Sequence, residues 1–378
     1  MKLTITVKLQ PTPEQSSVLR DTLRRANAAA NSISAMAWES QTWRQYDLHK
    51  VVYHRVRQSS GLTAQIVVSM IAKVADAYKV DRKRRRLFRP LGSIAYDDRI
   101  LRWYGDAVSI WTTSGRQCIP FVCRKNVAVL LSSRRGESDL VLRDGKWYLI
   151  ATIEVDDPPP VDPIDWLGVD VGIINLATDS DGNSYSGEAI ERNRRRHTHR
   201  RRNLQRRGTK SAKRKLKTLG KKQARFQRHV NHVLSKRIVA SAKGTGRGIA
   251  LEDLKGIRER VTAPRRQRAR LANWGFAQLQ SFVCYKARMA GIPVVFVDPR
   301  NTSRTCPCCA PVDKRNRPRP GTFQCIKCGF VAPAHAVAAR NIRVRAAVNQ
   351  PNVGFASDSD RVGVVSSHEQ ATLTSRPR

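Results

Sequence analysis

Negative charge is what this sequence has least of. Among 378 residues there are 30 Asp and Glu against 70 Lys and Arg, a formal net charge of +40, and from residue 192 to residue 251 neither Asp nor Glu occurs. A surface so short of carboxylates attracts polyanions, with salt-sensitive phosphate contact as the expected behaviour; even a passive basic surface would imply nucleic acid. Long apolar runs are missing too. Gln65 and Lys73 interrupt the most hydrophobic helix candidate, and no charged-apolar-cleavage pattern opens the chain. Neither a membrane span nor a secretory leader is therefore expected, and the reading is a soluble, cytoplasmic, nucleoid-associated protein. Cysteine is sparse outside one place, since five of the eight crowd between Cys306 and Cys328. That distribution suits a metal site rather than a disulfide framework, and Cys118, Cys123 and Cys284 read as ordinary core or surface thiols.

The length predicts two or three domains. Leu3 to Leu9 alternates like a strand, and Thr12-Pro13-Glu14-Gln15 reads as a capping box opening a helix to about Trp38. Shorter helices are expected near His49 to Ser59 and Leu62 to Arg85. Strands then follow at Val108 to Trp111, Ala128 to Leu131 and Lys146 to Val155, with Asp144-Gly145 as a hairpin turn. The expectation for residues 1–155 is a β-barrel with inserted helices. Consecutive prolines make residues 156–164 an extended linker.

The next stretch, Trp166-Leu-Gly-Val-Asp-Val-Gly-Ile-Ile-Asn-Leu-Ala-Thr-Asp-Ser-Asp-Gly182, reads as a β-hairpin with a carboxylate, Asp170, between Val169 and Val171. Either backbone amides at a strand end hold Asp170 or a metal or cation does, because an isolated buried carboxylate costs several kcal/mol. A second short apolar strand, Arg247 to Leu254, delivers Glu252 at its end, so two strand-borne carboxylates converge on one pocket.

Farther along, Cys306-x-x-Cys309 and Cys325-x-x-Cys328 have the spacing of two zinc knuckles, a closed structural tetrahedral site of four thiolates. Cys308 adjoins Cys309 and is an alternative ligand, though the x-x spacing prefers Cys306 with Cys309. Asp298 at a strand exit before Pro299 reads as a turn former. The acid-free run carries Arg194, Arg195, Arg196, Arg200, Arg201, Arg202, Lys213, Arg214 and Lys215, with Leu204, Leu216, Leu219, Phe226 and Leu234 at near-helical spacing. It reads as a basic helix pair whose cations position nucleic acid through phosphates without reading sequence. Arg258 to Arg270 reads as another basic loop, and Trp274 to Ala290 as an amphipathic helix, with Trp274 either core or a base-stacking platform.

Gly-Val-Asp-Val-Gly, Ala-Leu-Glu-Asp-Leu, the cysteine ribbon and the closing Ala338-Ala-Arg-Asn-Ile342 together resemble the RuvC-like nuclease of transposon-encoded TnpB proteins, related to type V CRISPR effectors. The resemblance implies an α/β fold: an RNase H-like (RuvC) domain over 165–302 with a basic helical insert, a zinc ribbon inserted at 303–330 and a last helix at 331–348. It further implies that residues 1–155 serve guide RNA and target recognition, with double-stranded DNA as the second partner. Residues 349–378 read as a disordered tail.

One position departs from the resemblance. The family's third metal carboxylate falls in an Asp-x-Asn-Ala-Ala turn, and the aligned residues here are His335-Ala-Val-Ala-Ala339. Catalytic Asp170 and Glu252 would thus be joined by His335 at a degenerate third position. Mg²⁺ needs hard oxygen ligands, so the acidic triad is incomplete and Mg²⁺ is implied only if the site is active. Three classes stay open: an RNA-guided DNA-binding protein with lost or weakened cleavage, an active metal-dependent RNA-guided endonuclease completed by His335, Asp358 or Asp360, and a plain zinc-ribbon nucleic-acid-binding protein.

Overall fold

The computed structural model describes residues 1–254, 256 and 275–348. The expected basic loop 258–270, Trp274 and the tail from 349 lie outside the described residues, as do Asp358 and Asp360. The chain divides into two compact units, Met1–Asp156 and the residues from Asp157 on.

In the first unit, β1 (Lys2–Leu9) leads into α1 (Pro13–Glu39), α2 (Gln45–Ser60) and α3 (Ala64–Val80), followed by β2 (Ile94–Tyr96), β3 (Leu101–Tyr104), β4 (Ala107–Thr112), β5 (Gly115–Val122), α4 (Lys125–Leu130), β6 (Arg134–Arg143) and β7 (Lys146–Glu154). The capping box at Thr12 is complete, with Thr12 and Gln15 each accepting from the other's backbone amide. Every pairing in the sheet β2-β6-β7-β1-β5-β4-β3 is antiparallel. Only residues 97–100 separate its two terminal strands, β2 and β3. A chain that short reaches less than about 20 Å, so the edges return toward each other and the sheet nearly closes. The three long helices between β1 and β2 share its core through Leu23, Ile33, Val52, Met70 and Leu149.

The β6–β7 turn is the expected Asp144-Gly145, both residues having positive φ (50° and 76°), the geometry of a primed hairpin turn. Two expectations need correction. Ala128 to Leu131 is not a strand: α4 covers Lys125–Leu130 and a 3-10 turn follows, because a four-residue apolar run carries no period that separates strand from helix. The third helix stops at Val80, where the cluster Arg82 to Arg86 begins, rather than at Arg85.

In the second unit, β8 (Trp166–Asp170), β9 (Asn175–Asp179) and β10 (Ser184–Ser186) are followed by α5 (Glu188–Arg207), α6 (Lys210–Gly244), β11 (Gly248–Glu252), α7 (Phe276–Met289), β12 (Val294–Val297), β13 (Thr322–Gln324), β14 (Val331–Pro333) and α8 (Ala334–Val348). The sheet order is β10-β9-β8-β11-β12, with β8, β11 and β12 parallel and β8, β9 and β10 antiparallel. Every residue of β8 and β11 is buried, as expected of strands covered on both faces.

Strand periodicity sorts these residues by face. Leu167, Val169, Ile249 and Leu251 pack with Leu234, Ile238 and Val283 of α6 and α7, while Trp166 and Ala250 pack with Ile342 and Ala346 of α8. Gly168 lies on the α8 side, where a Cβ would come within 2.1 Å of the Ala339 carbonyl oxygen, so the helix rests directly on the strand backbone. The linker is held against this unit rather than hanging free: Val161 N donates to Gly291 O at 2.9 Å, and Arg288 pairs with Asp157 at 2.5 Å.

Candidate functional site

Asp170 and Glu252 follow from the same periodicity. Leu251 pairs with Val169 across the parallel strands, so the next residues, Glu252 and Asp170, end β11 and β8 side by side on the α8 face. Both are buried, at 8% and 9% exposure. Burial, then the Asp170 carboxylate, pushes the Glu252 carboxyl up to about 7, against a lowering hydrogen bond from Thr302. The Thr302 hydroxyl donates to Glu252 Oε1 at 2.5 Å, and Gln280 Nε2 donates to the Glu252 carbonyl at 2.7 Å.

His335 opens α8 above these strand ends, and its Nδ1 lies 2.7 Å from Asp170 Oδ2. The third position thus meets the first, with an imidazole nitrogen at hydrogen-bond distance from an Asp170 carboxylate oxygen. Among the described residues, the only group of three or more His, Cys, Asp or Glu close enough to share an ion is the cysteine cluster. Two carboxylates, one already bonded to an imidazole, do not fit a pair of Mg²⁺ ions, which need near-octahedral oxygen shells. Asp298 takes no part: it is exposed and accepts from Arg300 N at 2.9 Å, a turn-forming role. The other buried carboxylate of the hairpin, Asp179, accepts from the amides of Asp181 and Asn183 and shapes the β9–β10 turn.

The cysteine cluster has the geometry to hold a zinc ion. Ligand atoms of Cys306, Cys309, Cys325 and Cys328 all lie within 4.8 Å of one another, with Sγ separations of 3.7 Å (Cys306 to Cys328) and 3.5 Å (Cys309 to Cys325). A tetrahedral zinc with Zn–S near 2.3 Å would set them about 3.8 Å apart. The backbone amide of Cys328, with that of Lys327, holds the Cys325 thiol down at about 6, as a thiolate ligand requires. Cys308 is exposed and outside the group of four, which bears on its competition with Cys309. Buried Asn316 laces the cluster's loops, donating to Arg304 O and accepting from Ile326 N.

The basic run forms α5 and α6. No residue of α5 is buried, whereas α6 buries Leu234, Ile238, Val239 and Ala242 against the sheet side. Arg196, Arg200, Arg201, Arg202, Lys213, Arg214 and Lys215 are exposed and form no ion pair with another described residue. Arg194 and Arg195 differ, since both bond Glu191, Arg194 through two nitrogens at 2.7 Å.

Sequence reasoning missed Thr302 and Gln280, which hold Glu252, and the role of Asn341, whose amide donates to Thr302 O and Thr305 O. Thr302 sits in an irregular segment without period or motif, so no local pattern could have marked it; Asn341 stood inside the closing motif.

Residues 150–255 match the family model OrfB_IS605, described as a probable transposase, and residues 276–342 match that of the Cas12f1-like TNB domain. The chain is 30% identical over 218 residues to the CRISPR-associated endodeoxyribonuclease Cas12f1 of Syntrophomonas palmitatica, covering 53% of this chain and 43% of that protein. Over 222 residues it is 33% identical to Cas12f1 of Sulfoacidibacillus thermotolerans, covering 53% of this chain and 51% of that protein. A TnpB-like protein of Methanocaldococcus jannaschii is 37% identical over 133 residues, 34% of this chain and 47% of the relative. The chain therefore spans about half the length of the curated relatives it matches. The fold is similar to that of a Cas12f1–sgRNA–target DNA complex, with a TM-score of 0.61 and 16% identity over 88% of this chain and 83% of that one. Residues 150–255 and 276–342, the segments that hold both carboxylates, the basic helices and the four cysteines, are thus the parts of the chain that are similar to TnpB-like and Cas12f proteins.

Proposed function

We propose that this chain is an RNA-guided DNA-binding protein of the TnpB type whose DNA cleavage is lost or weakened. The observation that carries the reading is the 2.7 Å contact between His335 Nδ1 and Asp170 Oδ2. An imidazole there brings no negative charge to offset divalent ions and engages the one Asp that would bind them. The order β10-β9-β8-β11-β12, with the carboxylates at the ends of its central strands, supports an RNase H-like (RuvC) reading of this sheet. The four-sulfur cluster supports a structural zinc ribbon between it and α8.

Guide RNA and double-stranded target DNA are the partners in this reading. The unpaired cations of α5 and α6 support it: like charges a turn apart on a helix repel, and a phosphate backbone relieves them. No helix among the described residues is long and apolar enough to cross a membrane, in keeping with work at the nucleoid. A second reading, an active metal-dependent endonuclease, is favoured by the retained adjacency of Asp170 and Glu252.

The test is cleavage beside binding. RNA that copurifies with the protein is sequenced, and the complex is given matching duplex DNA and Mg²⁺. Binding with little or no cutting is expected, and Arg200, Arg201 and Arg202 changed together to Ala should reduce the log-log salt slope by up to about three. His335→Asp, alone or with Val337→Asn, should gain Mg²⁺-dependent cutting that Asp170→Ala then abolishes. Efficient cutting by the unmodified protein, stopped by Asp170→Ala, would establish the second reading instead.

A further inference from the structure

His335 and Asp170 also form a pair suited to moving a proton. A carboxylate oxygen only accepts hydrogen bonds, so at 2.7 Å from Asp170 Oδ2 it is His335 Nδ1 that carries the ring hydrogen. In the neutral ring the lone pair then lies on Nε2, and Asp170 fixes both the tautomer and the orientation of the imidazole. His335 forms no other hydrogen bond among the described residues, and 27% of its side chain is open to solvent. A Cβ at Gly172 would come within 3.3 Å of His335 Cε1, the carbon between the two ring nitrogens, so the glycine keeps that edge uncrowded. A histidine serving only to hold helix to strand has no need of a free nitrogen at an open edge.

A proton acceptor needs a proton donor beside it. Glu252 ends the neighbouring strand with Oε1 engaged by the Thr302 hydroxyl, which leaves Oε2 to carry a proton. Burial and the Asp170 carboxylate push this carboxyl up to about 7, so near neutrality it keeps much of a proton that an ordinary Glu has lost. An oriented base and a protonated acid, with no divalent ion between them, suit one phosphodiester in particular. RNA carries its own nucleophile in the 2′-hydroxyl and needs no metal-bound hydroxide, whereas DNA lacks that group.

We infer that His335, positioned by Asp170, and Glu252 cleave RNA by internal transesterification without a metal ion. His335 Nε2 takes the proton of a 2′-hydroxyl and the 2′ oxygen attacks the adjacent phosphorus. The bond from phosphorus to the 5′ oxygen breaks, and Glu252 gives its proton to that oxygen. The products are a 2′,3′-cyclic phosphate and a 5′-hydroxyl, and proton exchange with water returns His335 and Glu252 to their starting forms. The inference rests on the proposed function in that the chain binds RNA.

The experiment incubates the full chain with an end-labelled, unstructured RNA of about 20 nucleotides and with its 2′-O-methyl counterpart, in buffer without added divalent ions, while fluorescence anisotropy follows binding of the same RNA. The unmodified RNA alone should be cut, leaving cyclic phosphate ends, at a rate that added Mg²⁺ changes less than about two-fold. His335→Ala and Glu252→Gln should each slow the cut about 100-fold or more, with RNA affinity held within about two-fold as the sign of an intact fold. Asp170→Asn, which keeps the shape but not the acceptor pair, should lower kcat and leave KM in place. RNA that is bound but not cut overturns the inference and leaves the proposed function standing. Cutting that survives in His335→Ala, or that needs Mg²⁺ and leaves 5′-phosphate ends, overturns it as well. Absence of RNA binding by the unmodified chain overturns the inference and the proposed function together.

Discussion

The second unit brings donor side chains together in two places, four cysteines in one and two carboxylates with an imidazole in the other, and only the first is a set that could hold an ion. Four sulfurs face one another at tetrahedral spacing, with Cys325 held down by backbone amides. Two carboxylates face one another at the sheet ends, but the third donor is an imidazole already bonded to one of them, and the other carboxyl is pushed up to about 7. Backbone amides hold the Cys325 thiol down while burial and the neighbouring thiols push Cys309 up, so a divalent cation would have to draw the proton from Cys309. At the carboxylate cluster, hydrogen bonding and protonation settle the buried charge instead.

The largest expected effect comes from breaking the complete site. Cys325→Ser should lower bound zinc from about one equivalent to near none and render residues 303–330 sensitive to protease, because zinc binding there is folding free energy. Metal analysis and limited proteolysis check this; a variant that keeps its zinc would shift the ligand set toward Cys308.

A smaller effect separates the carboxylate site by pH. Burial raises Glu252 from 4.5 to about 7, so the folded state binds this proton more tightly than the unfolded chain. Its contribution to stability is therefore complete below about 4.5 and lost as pH rises through about 7, a change on the order of 3 kcal/mol. Urea unfolding across that window should show the decline, and Glu252→Gln should flatten it.

The smallest effect sharpens the contrast directly. Adding about 10 mM Mg²⁺ should move the melting temperature of the unmodified protein by less than about 1 °C, whereas a zinc chelator should lower it clearly, since only an ion that binds the folded state stabilises it. A large Mg²⁺ shift that disappears in Asp170→Ala would make the two sites alike.

Legibility in the sequence followed the same division. The cysteine spacing, the strand–carboxylate pairs and the capping box at Thr12 were readable because each binds residue type to position within a few places. The partnership of Asp170 and His335, 165 residues apart, was readable only through family resemblance. Thr302 was not readable at all, since its hold on Glu252 depends on an irregular segment brought back by the tertiary fold. The apolar run at Ala128 was misread because four apolar residues carry no period that separates helix from strand.

The contact of α8 with Gly168 bears on how such a protein changes over generations. With the helix backbone seated on the strand, and Asn341 holding the loop that positions Thr302, the place of residue 335 in space is set by main chain rather than by its own side chain. Exchanging the imidazole for a carboxylate there would replace the contact with Asp170 by a like charge while leaving the backbone in place, and the His and Asp codons differ only at the first base. A single first-base change thus tests the residue 335 side chain on an otherwise unaltered backbone.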